Sequence, residues 1–288
     1  MAKPALEPKG YLDVLGYYSV VARKLTRYLK GKEIAAKNWI PGMRFQILKR
    51  GSKQKPLFIE DLAAAVNDGF LELRKLHLKE ARSKLSEKQA LAWEYFVPRK
   101  LSDLLYATNN EGAGKPIERV FLDLDKGAGV TSEQAQEACR VLVSVIGKKW
   151  GKPSVFWTGS SFHVFLFFSK PKPNAFYNQN FYYTKSNPLA SLTGKWAAEV
   201  AKEVGFEVEG GHEKKKGVLN IDPSQTPSGK LCRAPFSLHM KDANTIDGID
   251  IPLTVEMLGE KGLVKDLRTY DAGRVINELN DLAKRLPF

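Results

Sequence analysis

The sequence predicts an α+β fold, a mixed or antiparallel sheet with helices packed around it, preceded over residues 1–95 by a basic, mainly helical region. Three observations carry this expectation. Residues 118–125 read as a strand, because Val120, Phe121, Leu122 and Leu124 favour extended backbone, and a helical stretch from Thr131 to Trp150 follows. Strand-like residues 153–158 and 162–168 then meet through the turn Gly159-Ser160-Ser161, a hairpin rather than a second crossover, which points to a mixed sheet. Charge divides the chain as well. Residues 1–110 hold 21 Lys and Arg against 11 Asp and Glu and the remainder 24 against 21, so +10 of the net +13 falls in the first segment.

The elements follow in order. Leu12, Leu15, Val21, Leu25 and Leu29 fall near helical spacing among Arg23, Lys24, Arg27 and Lys30, a basic amphipathic helix over residues 11–30. Residues 43–50 alternate like a strand, and Gly51 to Pro56 breaks it. Helices are expected over about 57–77 and 85–95, a short one over 101–106, and a loop from Asn109 to Gly114. After strand 118–125, Thr131 or Ser132 caps the long helix and Glu133 lies in its first turn. The Pro-, Asn- and Tyr-rich residues 171–190 read as a connection, followed by a helix over 191–204. The turn Gly210 to Gly217 leads into strand 218–222, a further strand covers part of 230–239, and helices near 254–258 and over 271–286 end the chain.

Composition narrows the function. No apolar run approaches the ~20 residues of a membrane span, and Met1-Ala2-Lys3-Pro4-Ala5 lacks the apolar core of a signal peptide, so an intracellular, cytoplasmic protein without a membrane partner is expected, associated with nucleoid or plasmid. Cys139 and Cys232 have no neighbours at zinc-ligand spacing. A basic excess confined to one region is the footprint of a polyanion partner, most commonly nucleic acid.

Three islands carry the chemistry. Asp123 and Asp125 share one face of their strand, where two unpaired carboxylates repel, so a cation is expected between them and a hard divalent ion suits them. The plain alternative is that they end a strand ahead of the Lys126-Gly127-Ala128-Gly129 turn. The second island, Thr158-Gly159-Ser160-Ser161-Phe162-His163, is a turn of small hydroxyl residues that offers donors to an anion and delivers a histidine onto a strand. His163 alone reads equally well as a core histidine. The third supplies Asp222, then Lys230, Arg233, Ser237, His239 and Lys241, cations and hydroxyls suited to a triphosphate. Together they describe two-metal phosphoryl transfer, with Mg²⁺ or Mn²⁺ held by Asp123, Asp125 and Asp222.

The order of these islands resembles the archaeo-eukaryotic primase superfamily. It looks most like the archaeal primase small, catalytic subunit and its stand-alone primase-polymerase relatives. Phe121-Leu122-Asp123-Leu124-Asp125 is similar to the family's metal-binding acidic pair and Asp222 in Leu219-Asn220-Ile221-Asp222 to its third carboxylate. Thr158 to His163 is similar to its nucleotide-binding turn, and Arg233-Ala234-Pro235-Phe236-Ser237-Leu238-His239-Met240-Lys241 to the stretch whose Ser, His and Lys contact phosphates. The resemblance covers about residues 95–258. It departs in lacking the zinc-binding cysteines of many small subunits, in Met240 and Asp242-Ala243 beside Lys241, and in Thr158 where Ser is usual.

The resemblance implies an RRM-like catalytic core over residues 96–288 and a DNA primase or primase-polymerase that synthesises primers on single-stranded DNA from nucleoside triphosphates, with two divalent ions. Thr158, Ser160, Ser161, His163, Lys230, Arg233, Ser237, His239 and Lys241 would bind the nucleotide. The basic charge before residue 100, outside the resemblance, points to Arg23, Lys24 and Arg27 as template contacts. A primase large subunit, a helicase or another replication protein is a further candidate partner. Residues 251–258, Ile251-Pro252-Leu253-Thr254-Val255-Glu256-Met257-Leu258, also resemble a segment of the polymerase domain of bacterial end-joining ligases, so a repair polymerase that extends primers or fills gaps is the alternative. A non-catalytic nucleic-acid-binding subunit is the alternative of another class.

Overall fold

A computed structural model describes residues 14–39, 46–50, 56–65, 67–73, 76, 78–96, 101–108, 114–240, 242 and 245–287. The elements run α1 (Val14–Leu25), β1 (Ile34–Trp39), β2 (Gln46–Arg50), α2 (Ile59–Ala65), α3 (Asp68–Leu73), α4 (Leu78–Lys84), α5 (Glu87–Tyr95), β3 (Ser102–Ala107) and β4 (Ile117–Lys126). They continue as α6 (Ser132–Trp150), β5 (Ser154–Trp157), β6 (Phe162–Lys172), α7 (Ala175–Asn180), α8 (Leu192–Val204), β7 (Val208–Gly210), β8 (Leu219–Asp222), β9 (Leu231–Arg233), β10 (Leu238–Met240), β11 (Ile246–Ile249), β12 (Ile251–Leu253), α9 (Leu263–Leu267) and α10 (Ala272–Ala283). Mixed α+β architecture is therefore observed, as the sequence predicts.

The chain divides into two units that are interleaved in sequence. One takes its described residues from Met1–Tyr106, Arg233–Asp250 and Tyr270–Phe288, the other from Ala107–Cys232 and Ile251–Thr269.

In the first unit β1 pairs antiparallel with β2 and β3, and β10 with β11. The N-terminal region is thus not only helical. The helix expected over 101–106 is strand β3, whose residues are buried on both faces and so show no alternation to mark them. The helix expected over 57–77 is broken: α2 ends at Ala65, and the Asn67 side chain accepts from Phe70 N at 2.9 Å to start α3. Helix α1 buries nine of its twelve residues, leaving Arg23 and Lys24 exposed at its end and Arg27 exposed just beyond. Of the strand expected over 43–50, residues 43–45 lie outside the described residues, as do 109–113 of the loop before β4.

The second unit holds a six-stranded sheet in the order β12-β5-β6-β4-β8-β7, antiparallel except for the parallel pair β7–β8. Alternation along central β4 puts Val120, Leu122 and Leu124 on one face and Arg119, Phe121, Asp123 and Asp125 on the other. Helices α6 and α8 pack side by side, α6 against β4 and β6 and α8 against β8. The apolar stripe Ala135, Ala138, Cys139, Leu142 and Ile146 is the buried side of α6. A capping box fixes its start, with Gln134 N donating to Thr131 Oγ1 at 3.1 Å and Thr131 N to Gln134 Oε1 at 2.9 Å. The connection expected over 171–190 carries the short helix α7 and a turn of 3₁₀ helix. Both cysteines are buried, and burial pushes the Cys139 thiol well up. Among the described residues no helix is long and apolar enough to cross a membrane.

Candidate active site

Strand register assembles a row of polar groups on one face of the second unit's sheet. Asp123 of β4 stands directly opposite His163 of β6 on one side and Asp222 of β8 on the other. Directly opposed residues in antiparallel strands project to the same face, so the three share it, and Asp125, two positions along, joins them opposite Asn220. Below this row the same face is aromatic. Phe121 meets the His163 ring at 4.7 Å between centroids and Phe165 at 5.0 Å.

Each acidic group has its own polar contact. Asp123 Oδ1 lies 3.5 Å from His163 Nε2. Asp222, 6 % exposed, accepts from Ser224 N at 2.8 Å and Ser224 Oγ at 2.9 Å, a tight turn closed by its own carboxylate. Asp125 is ion-paired with Lys214, whose Nζ lies 2.8 Å from Oδ1. The hydrogen bond to Asp125 raises the Lys214 ammonium, and the charges of Asp125, Asp123 and Asp222 add to it. In this structure the positive charge in contact with Asp125 is the Lys214 ammonium. Among the described residues no three acidic, histidine or cysteine groups converge on a point that would take a metal ion. The donor set nonetheless fits one by chemistry: carboxylate oxygens are what Mg²⁺ and Mn²⁺ take, and Lys214 shows that a cation is drawn to this face.

The turn before β6 is built from its own hydroxyls. Thr158 N donates to Ser161 O at 2.9 Å and Ser161 N to Thr158 Oγ1 at 3.1 Å, while Ser161 Oγ donates to Leu124 O of β4. Thr158 and Ser161 are buried. Ser160 contributes its carbonyl, which accepts from Ser132 Oγ at 2.7 Å. Two cations that sequence reading missed converge on that same hydroxyl, Lys126 Nζ at 2.8 Å and Arg268 Nη2 at 2.9 Å. Both lie among ordinary surface charge in the sequence, and only the fold brings them to this turn. Lys230 is exposed, with its carbonyl accepting from Thr108 N at 2.7 Å.

The remaining site residues belong to the first unit. Arg233 pairs with buried Asp103 at 3.2 Å and donates to Leu238 O at 3.1 Å. Burial raises the Asp103 carboxyl, against the pull of Arg233 and Lys37. Ser237 is wholly buried and accepts from Leu104 N at 2.8 Å, so its hydroxyl supports the 233–239 stretch from within. Phe236 beside it takes φ 65°, a conformation costly for a bulky side chain. It is held there by Phe236 N donating to Asp250 O at 2.7 Å and Tyr17 Oη donating to Phe236 O at 2.7 Å. Lys241 lies outside the described residues.

His239 sits 3.7 Å from Asp247, and its imidazole is pushed down to about 4, chiefly by burial and then by Arg233, with Asp247 opposing and Lys37 adding. A histidine neutral in the fold but protonated in the unfolded chain costs stability as pH falls from about 6.5 toward 4. His239→Asn should therefore lose about 2 kcal/mol less than the parent between pH 7 and pH 4.5 in urea unfolding. Parallel losses would mean that His239 is not held neutral.

No protein-family model and no curated protein sequence matches the chain. Among solved structures it is similar to the polymerase domain of Mycobacterium tuberculosis ligase D in complex with DNA, at 16% identity and a TM-score of 0.58, over 99% of this chain and 97% of that one. The likeness is one of fold. It reaches past the residues 95–258 of the sequence resemblance to span nearly the whole chain, including the N-terminal region that sequence alone left without a counterpart.

Proposed function

We propose that the chain is a template-directed nucleotidyltransferase, a DNA primase or primase-polymerase that joins nucleoside triphosphates on single-stranded DNA. The observation that supports this most is the register that sets His163, Asp123 and Asp222 across three adjacent strands with Asp125 on the same face. Divalent ions bound by these three carboxylates would activate the attacking 3′-oxygen and clamp the leaving pyrophosphate. His163 places Nε2 3.5 Å from Asp123 Oδ1, beside that carboxylate. Lys126 and Arg268, beside the Thr158–Ser161 turn, supply positive charge for phosphate oxygens. In the other unit Arg233 and His239, with Lys241, are the groups that the primase resemblance assigns to nucleotide phosphates.

A second reading is a repair polymerase that extends a primer or fills a gap. The fold likeness to a ligase D polymerase domain in complex with DNA favours it. Incubation with labelled nucleotides, Mn²⁺ or Mg²⁺ and single-stranded template separates the two. A labelled dinucleotide formed without primer establishes priming, and extension confined to a supplied primer establishes the repair-type activity. A DNA-binding subunit without catalysis would retain template and incorporate nothing.

Arg23, Lys24 and Arg27 are exposed together where α1 ends, as template-phosphate contacts require. Replacing all three with glutamine should weaken single-stranded DNA binding and lower the slope of log affinity on log salt by up to about 2. An unchanged slope would place this helix end away from the template.

A further inference from the structure

The connection from β7 to β8 delivers Lys214 to the acidic face by a built route. Gly211 N donates to Ile221 O at 2.9 Å and Gly217 N to Ala128 O at 2.8 Å, and Gly127 N reaches back to Val218 O at 2.9 Å. Gly127 lies so close to this connection that a Cβ on it would stand 1.7 Å from Lys215 O, which makes glycine obligatory there. The charged neighbours of Lys214 face elsewhere: Glu213 is paired with Lys185, and Lys215 with Glu209 at 2.6 Å. Lys214 alone of the three turns to Asp125, at 2.8 Å. Its side chain is 59% exposed, so the ammonium can leave without unpacking the core.

The nucleotidyltransferase reading assigns Asp125 to a divalent ion, and the structure pairs the same carboxylate with Lys214. We propose that Lys214 is a built-in counter-ion that competes with divalent metal for the carboxylate face, holding Asp125 in place before metal loading and setting the metal affinity of the site. This inference rests on the metal-binding reading of Asp123, Asp125 and Asp222. Lys214 is then a positioning residue: it relieves the repulsion among three carboxylates while no ion is bound, and it must swing outward as one arrives. An ammonium within reach of the face raises the cost of bringing in a doubly charged ion, by direct competition and by repulsion together.

The test is a titration of the full chain with Mn²⁺ alone, read by the loss of the free-ion electron paramagnetic resonance signal, for the parent, Lys214→Met, Lys214→Arg and Asp125→Asn. Lys214→Met should bind Mn²⁺ roughly tenfold more tightly than the parent, Lys214→Arg no more tightly, and Asp125→Asn more weakly. Circular dichroism and melting temperature confirm that each variant is folded. Parent-like or weaker Mn²⁺ binding by folded Lys214→Met, with binding still lost in Asp125→Asn, overturns the role of Lys214 and leaves the metal reading standing. Absence of Mn²⁺ binding from parent and Lys214→Met alike overturns both.

Discussion

Asp123→Ala combined with Asp125→Ala should abolish nucleotide incorporation, a loss on the order of 10³-fold or more, while the protein stays folded. The magnitude follows from the chemistry asked of the pair. If carboxylate-bound ions carry the charge that develops in phosphoryl transfer, the double variant leaves Asp222 as the one carboxylate of the proposed three, and His163 offers nitrogen rather than oxygen. The fold should survive, because the apolar side of β4, Val120, Leu122 and Leu124, is untouched, and removing two like charges at a strand end relieves repulsion. The assay is labelled-nucleotide incorporation beside a thermal melt. A folded double variant with near-parent activity would remove the carboxylate pair from the chemistry.

Gly127→Ala should be strongly destabilising. The added Cβ would meet Lys215 O at 1.7 Å and Val218 O at 2.7 Å, and both obstacles are backbone atoms that no side-chain rotation clears. Either the end of β4 or the β7–β8 connection must shift, with a stability loss of about 3 kcal/mol read as a lowered urea midpoint. The same shift withdraws Lys214 from Asp125, so the variant should also depart from the parent in Mn²⁺ affinity. A parent-like midpoint would show that the connection does not approach β4 as closely as described.

The parts of the fold that sequence made legible are those where one periodicity dominates. Central β4, the capped helix α6 and the β5–β6 hairpin carry unbroken apolar patterns bounded by turn residues, and they stand where expected. Strand β3 was misread as helix because Leu104, Leu105 and Tyr106 fall in a run too short to distinguish a strand buried on both faces from a helical turn. Strand β1, Ile-Ala-Ala-Lys-Asn-Trp, is built largely from residues that disfavour strands and is held by its two neighbours.

The candidate site shows the same division. Asp123, Asp125, Asp222 and His163 could be named from spacing and resemblance, because chemistry restricts which residue types serve. Lys126, Arg268 and Lys214 could not, since a lysine or arginine in a basic chain carries no local mark and only tertiary placement distinguishes it. Ser237 illustrates the converse. Its position in a recognisable stretch points to phosphate, and the fold adds what the sequence does not show, that its buried hydroxyl accepts from the backbone of Leu104.

Metal-dependent nucleotidyl transfer on a DNA template is the activity proposed for this face. Its most direct test is incubation of the parent chain with labelled nucleotides and Mn²⁺ on unprimed and primed single-stranded template, with and without a chelator. A labelled polymer should form on at least one of the two templates and disappear when the metal is removed. No product on either template, or product that persists undiminished in excess chelator, would contradict that activity.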